Sequence, residues 1–522
     1  MVATHVNTNH SAMVESSDLS PDDVKSAELA EASNATEKVP SPSISSRPID
    51  VDREGSGAGQ GGLVDFGDET DLSNPQNWSP KLKWSLIVLV SLLDFAVSLA
   101  TIICAPVAPQ ILAEFNETDD FYITFIVSVW ELGEIFGPLI VAPLSELYGR
   151  LYIYHAGNIL CIVFSAACAL STNIQMLVAF RFLNGLAVVS TALNPSIVGD
   201  LFRVEQRGSA MSIVGLATMM GPVVGPIIGG YLGGAMGWRW CFWLITILCG
   251  FLEIGFLLLL RETYSVQILK GKAKRLRRET NNPNIRSKYE TEHTALQLLQ
   301  NACIRPLTLL FTSPILFLMS LYVAVVYGYL YLVMTTITTV FESVYNFSST
   351  VVGLSFLGLG IGCVIGVFFC RATLDLWVRR QAKSGQVQPE QRLPPVIFGG
   401  FILPVGLFMY GWTAEAHTHF LAPIIATGIL GMGLVSTTIP VRSYLVDAFG
   451  IYAASAIAGC AVLRNLGGTF VPLAGPPLYQ KLGLGWGNSV LGFIALAFIP
   501  VPLLLMRYGQ ALRSRDKRKF EG

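Results

Sequence analysis

The sequence predicts an all-α membrane protein, twelve transmembrane helices arranged as two pseudo-symmetric halves of six, and three observations carry that prediction. Of its 522 residues 52% are hydrophobic and only 14% charged, with a mean hydropathy of +0.53, whereas a soluble domain carries about 25% charged residues. Apolar stretches of about twenty residues, enough to cross a hydrocarbon core of roughly 30 Å, recur from Trp84 onward. Short sequence features also repeat between the halves.

Residues 1–72 are rich in Ser, Glu, Asp and Gly, with a flexible run at 55–62, and hold too little apolar surface to fold. They are expected to form a disordered cytoplasmic tail. The first thirty residues lack the apolar core of a cleaved signal peptide, so insertion falls to the first internal span and the N-terminus stays cytosolic. An N-terminal six-helix half, 73–260, has spans near 84–106, 121–143, 152–171, 174–196, 210–232 and 239–260. A polar, basic cytoplasmic loop, 261–306, leads to a C-terminal half, 307–508, with spans near 314–338, 349–370, 395–413, 419–440, 453–475 and 486–506. Residues 509–522 form a basic cytoplasmic tail.

Basic residues alternate between connections as the positive-inside rule requires. One set of connections holds Arg150, Arg203, Arg207, the cluster from Lys270 to Arg278, Arg379, Arg380, Lys383 and Arg392, and the C-terminal tail adds Arg513 to Lys519. The intervening loops, such as 114–120 and 342–348, carry little positive charge. Both termini are therefore placed in the cytoplasm. Two sequons, at Asn116 and Asn346, fall in the outside loops and are glycosylation candidates. The nine cysteines lack ligand spacing and mostly sit singly in apolar runs, as small core hydrophobes do.

The repeats bear on mechanism. Asp200-Leu201-Phe202 with Ser209-Ala210 in the first half corresponds to Asp447-Ala448-Phe449 with Ser455-Ala456 in the second, and YLGGAMGWRW at 231–240 to YQKLGLGWGN at 479–488. Parallel repeats about an axis along the membrane normal are a transporter architecture, with the substrate between the halves near the midplane. This favours a rocking, alternating-access machine over a simple pore.

The fifth span carries Gly221, Pro222, Gly225, Pro226, Gly229 and Gly230, with Gly233 continuing the four-residue ladder. Glycines at that spacing allow close helix contact, and the prolines remove internal hydrogen bonds and permit a bend; the alternative is a plain packing face, which is the reading given to Gly358, Gly362 and Gly366. Charges within spans point to chemistry, because each costs roughly 2.5 to 3.5 kcal/mol at the bilayer centre on insertion scales. Asp94, Glu131, Glu134 and Arg181 are such charges. A carboxyl group in a dry cavity can take up and release a proton in the physiological range. The expectation is that Asp94 with Glu131 or Glu134 exchanges protons for substrate while Arg181 biases them; the alternative is a fixed ion pair of Arg181 with the two glutamates. Glu253 and Arg464 lie nearer helix ends, where snorkelling competes with function. Tyr322, Tyr327, Tyr329, Tyr331, Thr335 and Thr336 in the seventh span form either a ligand-facing wall, with Tyr327 and Tyr331 as candidates, or core and interface aromatics. The basic segment 270–278 is expected to lie on the anionic leaflet as an amphipathic helix, and Glu146 and Arg150, four apart, have the spacing of a helical ion pair.

Several of these stretches resemble the Major Facilitator Superfamily and, within it, the fungal twelve-span drug:proton antiporter group. Residues 142–150 (APLSELYGR) resemble the superfamily's cytoplasmic motif, with Glu146, Gly149 and Arg150 as its gate residues, although Ala142, Glu146 and Leu151 depart from the usual pattern. Residues 181–185 (RFLNG) resemble its fourth-helix arginine motif, and the fifth-span run its antiporter motif. NPQNWS at 74–79, RETY at 261–264, KAKRLRRET at 272–280, RLPP at 392–395 and YLVDAF at 444–449 resemble the fungal group. The resemblance covers nearly everything after the tail.

It implies a monomeric, proton-coupled exporter of small organic compounds such as a drug, toxin or secondary metabolite, powered by the proton gradient without a cofactor, in the plasma membrane or alternatively the vacuolar membrane. The alternative within transport is a facilitator or carrier of organic acids, polyamines or another nutrient. No phosphate-binding loop, GxSxG elbow or metal-spaced His/Cys cluster is present in the sequence, so an enzyme and a nucleic-acid binder are not expected.

Overall fold

The computed structural model describes residues 63–67, 71–288, 295–382 and 388–520. The disorder expected of residues 1–62, like the charge of Lys383, lies outside them. In the first half the helices are α1 (Pro80–Ile102), α2 (Phe121–Tyr148), α3 (Arg150–Ala169), the broken pair α4 (Ile174–Leu186) and α5 (Ser190–Leu201), α6 (Val204–Met236) and α7 (Arg239–Leu259). A connection containing α8 (Ser265–Thr280) and α9 (Ala295–Thr312) leads to the second half. There follow α10 (Pro314–Tyr345), α11 (Leu357–Ala382), α12 (Pro394–Glu415), α13 (Leu421–Phe449), α14 (Ala453–Phe470), α15 (Gly475–Phe498) and α16 (Pro500–Phe520).

Among the described residues, eleven helical stretches are long and apolar enough to cross a membrane, and the last, Ala453–Ser514, is 62 residues long. At 1.5 Å per residue a straight helix of that length would reach ~93 Å, about three bilayer cores. It turns back instead at Gly483, where φ is 74°. Beyond the turn the chain runs alongside α12. Gly485 N–H donates to Glu415 Oε2 (2.5 Å) at one end of that helix, and Arg513 pairs with Glu390 (3.6 Å) just before the other. The stretch therefore makes two crossings, and the total is twelve.

Local sequence sets the helix ends. Ser79 and Ser313 cap α1 and α10, each with a proline in the first turn. Asn116 and Asn346 end the helical segments before them in the left-handed conformation, φ 54° and 55°. Both are exposed at one end of the bundle. Arg150, Arg392 and α8 lie at the opposite, basic end. The α6 glycines let that helix lie directly on α1: a Cβ at Gly225 would come 3.1 Å from the Leu99 carbonyl oxygen, and one at Gly229 would strike that of Ile103.

Two expectations change at the basic end. Leu63–Val64 (β1) pairs in parallel with Arg286–Ser287 (β2), and Asp71 binds Lys272 (3.1 Å), so order begins before residue 72. Apolar burial is the reason: Val64 and Ile285 close over Leu269 and Ala273 of α8. That contact covers the apolar face of α8 with protein rather than with the lipid leaflet expected for it.

Candidate functional site

The halves meet through α2 and α14. Gly468 of α14 leaves just enough room, since a Cβ there would lie 3.1 Å from the Tyr327 ring and 3.4 Å from Glu131 Cγ. Glu131 is 1% exposed. Its Oε1 accepts a short hydrogen bond from the Tyr331 hydroxyl of the other half, and its Oε2 has no hydrogen-bond partner. Tyr327 lies beside Tyr331 with the rings tilted at 47° and their centroids 5.1 Å apart, and Arg464 of α14 covers the Tyr327 ring at 4.9 Å. One turn along α2, Glu134 accepts from Trp130 Nε1 (2.9 Å).

Arg181 does not pair with these carboxylates, which removes the fixed ion-pair alternative. Its guanidinium donates to the carbonyls of Ala100 and Thr101 in α1 (both 2.7 Å) and of Ile126 and Val127 in α2 (3.0 and 3.4 Å). It also lies over Trp130 at 4.9 Å. Carbonyl dipoles satisfy the charge, and the link to Glu134 runs only through the indole. Asp94 is buried on α1 and faces α6, where Thr218 Oγ1 donates to it at 3.4 Å; it is not hydrogen-bonded to either glutamate.

Glu253 and Arg464 do not snorkel. Glu253 is buried against His155 (2.5 Å) and Asn158 (2.8 Å) of α3, a polar clamp inside the first half. Arg464 borders a cleft it shares with Arg442.

At the basic end Glu146 is exposed and does not pair with Arg150. The spacing argument fails because Gly149, φ 96°, breaks the chain between α2 and α3, so the two residues do not share one helix. Arg150 instead faces Asp200 of α5 (3.6 Å), donates to Ser145 (2.5 Å) and lies over the Tyr264 ring (4.7 Å). Glu262 accepts from the backbone N–H groups of Arg150 and Leu151, the first turn of α3. In the second half Arg392 pairs with Asp447. The repeated Asp-x-Phe thus marks an arginine–aspartate bridge in each half.

Twelve crossings, paired bridges at one end and buried carboxylates where the halves touch agree with the match of residues 90–472 to the family model of the Major Facilitator Superfamily. The chain belongs to that superfamily. It is 46% identical over 457 residues to the MFS-type transporter penM of Penicillium rubens, covering 87% of this chain and 90% of that one. It is 44% identical to the efflux pump radE of Floropilus chiversii, covering 87% and 85%. A solved D-xylose-proton symporter superposes with a TM-score of 0.63 over 81% of this chain and 97% of its own at 14% identity, a likeness of fold alone. The chain is therefore a fungal-type membrane transporter rather than an enzyme.

Sequence reasoning missed Arg442, Asp200 and Glu262. Arg442 fell just beyond the predicted end of the tenth span at 440, but α13 continues to Phe449. Asp200 was legible as a repeat but not as a partner, because Arg150 reaches it from another helix.

Proposed function

We propose that this transporter exports small organic compounds from the cell, a drug, toxin or secondary metabolite, in exchange for protons, acting as a monomer in the plasma membrane with its basic end in the cytoplasm. The positive-inside rule supports that orientation, and the similarity to radE, an efflux pump by name, supports the direction. The observation that carries proton exchange is Glu131. It is buried where the two halves touch, is held across that boundary by Tyr331, and keeps a second oxygen unpartnered. An ionised carboxylate only accepts hydrogen bonds, while a protonated one also donates. Gain or loss of one proton thus alters a bond between the halves, and rocking of the halves alters the group's access to water. Asp94, separately buried, is the second proton-exchanging carboxylate.

The test is flux of fluorescent drugs, organic acids and polyamines in sealed vesicles holding the purified protein, with and without an imposed pH gradient. Uphill movement driven by opposing proton flow, falling roughly 5- to 150-fold in Glu131→Gln or Asp94→Asn as a coupling of 1–3 kcal/mol implies, is the expected result. Downhill flux alone, indifferent to pH and to both substitutions, would make the protein a facilitator whose buried carboxylates are structural.

A further inference from the structure

We propose that the wall formed by α10, α13 and α14 holds a recognition site for an anionic oxygen group, a carboxylate or sulfonate on an otherwise apolar compound, between Arg442 and Arg464. The inference names a substrate class for the proposed exporter and rests on that reading for its purpose, but it concerns binding alone.

A small cleft opens at Arg464, which covers the Tyr327 ring beside Glu131. Arg442 and Arg464 border it together with Val323, Leu445, Ile457 and Cys460. Both arginines belong to membrane-crossing helices, and two cations side by side repel as well as losing hydration, so something must compensate them. Several other arginines are compensated. Arg181 is held by carbonyls, and Arg150, Arg239, Arg392 and Arg513 each face a carboxylate. Within the cleft the compensation is thin. Arg464 donates to the neighbouring Asn465 side chain (2.9 Å) and lies over Tyr327, and Arg442 forms no ion pair among the described residues. Arg442 is also exposed, although Val441, Tyr444 and Leu445 around it on α13 are buried. Its side chain is thus accessible within an apolar wall and lines the same cleft as Arg464.

Guanidinium groups bind planar or tetrahedral oxyanions through parallel charge-assisted hydrogen bonds. Two of them bordering a small aliphatic-lined cleft suit one anionic group, with the apolar body of the compound left outside it. The charge of Arg464 also acts on Glu131 and Glu134, so an ionised Glu131 competes with the anion for that guanidinium. The ionisation of Glu131 therefore tunes how tightly the cleft holds an anion.

Equilibrium binding to the full chain in lipid nanodiscs, without a gradient, tests this with 2-naphthoate, the neutral 2-naphthamide and the cationic 2-naphthylmethylamine. Naphthoate is expected to bind about tenfold or more tighter than naphthamide, a difference of roughly 1.4 kcal/mol. Arg442→Gln and Arg464→Gln should each erase most of that preference, Arg442→Lys should keep part of it, and Glu131→Gln should strengthen naphthoate binding. Arg442 has no ion-pair partner to lose, and the wild-type preference needs no variant. Equal binding of the three probes, preference for the amine, no binding of any probe, or a preference that survives both glutamine variants would overturn the proposal. Naphthoate preference without proton-driven flux would defeat only the exchange reading, and proton-driven flux without the preference would defeat only this one.

Discussion

Arg181 of α4 donates to four backbone carbonyls and lies over an indole, while Arg464 of α14 donates to the side chain next to it and faces a cleft. The sequence placed Arg181 within a span and Arg464 nearer a helix end, but it did not show what either one meets. What separates them is whether neighbouring helices supply acceptors. The carbonyls beside Arg181 come from α1 and α2, so it fastens three helices of the first half. Arg464 keeps donors free at the boundary between halves, where contacts change in the proposed rocking.

The sharpest way to break that contrast is to remove each charge and measure stability. Interhelical hydrogen bonds in membranes average ~0.6 kcal/mol, so Arg181→Met, which deletes four donors' worth of bonding, should lower unfolding free energy by roughly 2–3 kcal/mol in SDS titration. Arg464→Met should cost under about 1 kcal/mol by the same bookkeeping. Equal losses would erase the distinction.

The paired bridges give a second, smaller contrast. Side chains of Arg150 and Asp200 are 10% and 20% exposed, against 30% and 31% for Arg392 and Asp447. An exposed pair contributes about 0–1 kcal/mol and a better-shielded one more. Asp200→Asn should therefore slow flux roughly 5- to 10-fold while Asp447→Asn stays within about twofold, if a bridge that differs between conformations sets the coupling. The reverse order would place the working bridge in the second half.

The smallest effect is expected where β1 pairs with β2 and Asp71 binds Lys272. Asp71 is held well below the ordinary carboxylate range by hydrogen bonds from the Ser73 hydroxyl and the Gly67 N–H, with Lys272 adding to them. Because the folded value is the depressed one, this stabilisation is complete above the unfolded value of about 3.8 and is lost only as pH falls through the lower folded value. Hydrogen exchange at residues 63–66 should be uniformly slow from pH 8 to about pH 5 once corrected for intrinsic rates, and should quicken at every pH in Asp71→Asn without changing flux.

Hydropathy made the twelve crossings legible, since lipid demands the same apolar length of each. The repeat made the halves legible, and buried charge singled out Glu131, Glu134, Asp94 and Arg181. Pairing was not legible. Glu131 meets Tyr331, Arg150 meets Asp200 and α8 meets Val64 across long separations in the chain, where spacing along one helix carries no information. Gly149 shows the same limit at short range: one residue with φ above zero redirects α3 and voids the periodicity that joined Glu146 to Arg150.

Trp130 sits between the structural arginine and Glu134, the carboxylate one turn along α2 from the proposed proton carrier Glu131, with its ring under Arg181 and its N–H on Glu134. Indole emission responds to the charge of a group bonded to its nitrogen. With the other eight of the nine tryptophans replaced, the fluorescence of Trp130 would follow protonation of Glu134 directly. The protein carries an optical readout of proton occupancy at a depth where an attached dye could not fit without separating the helices.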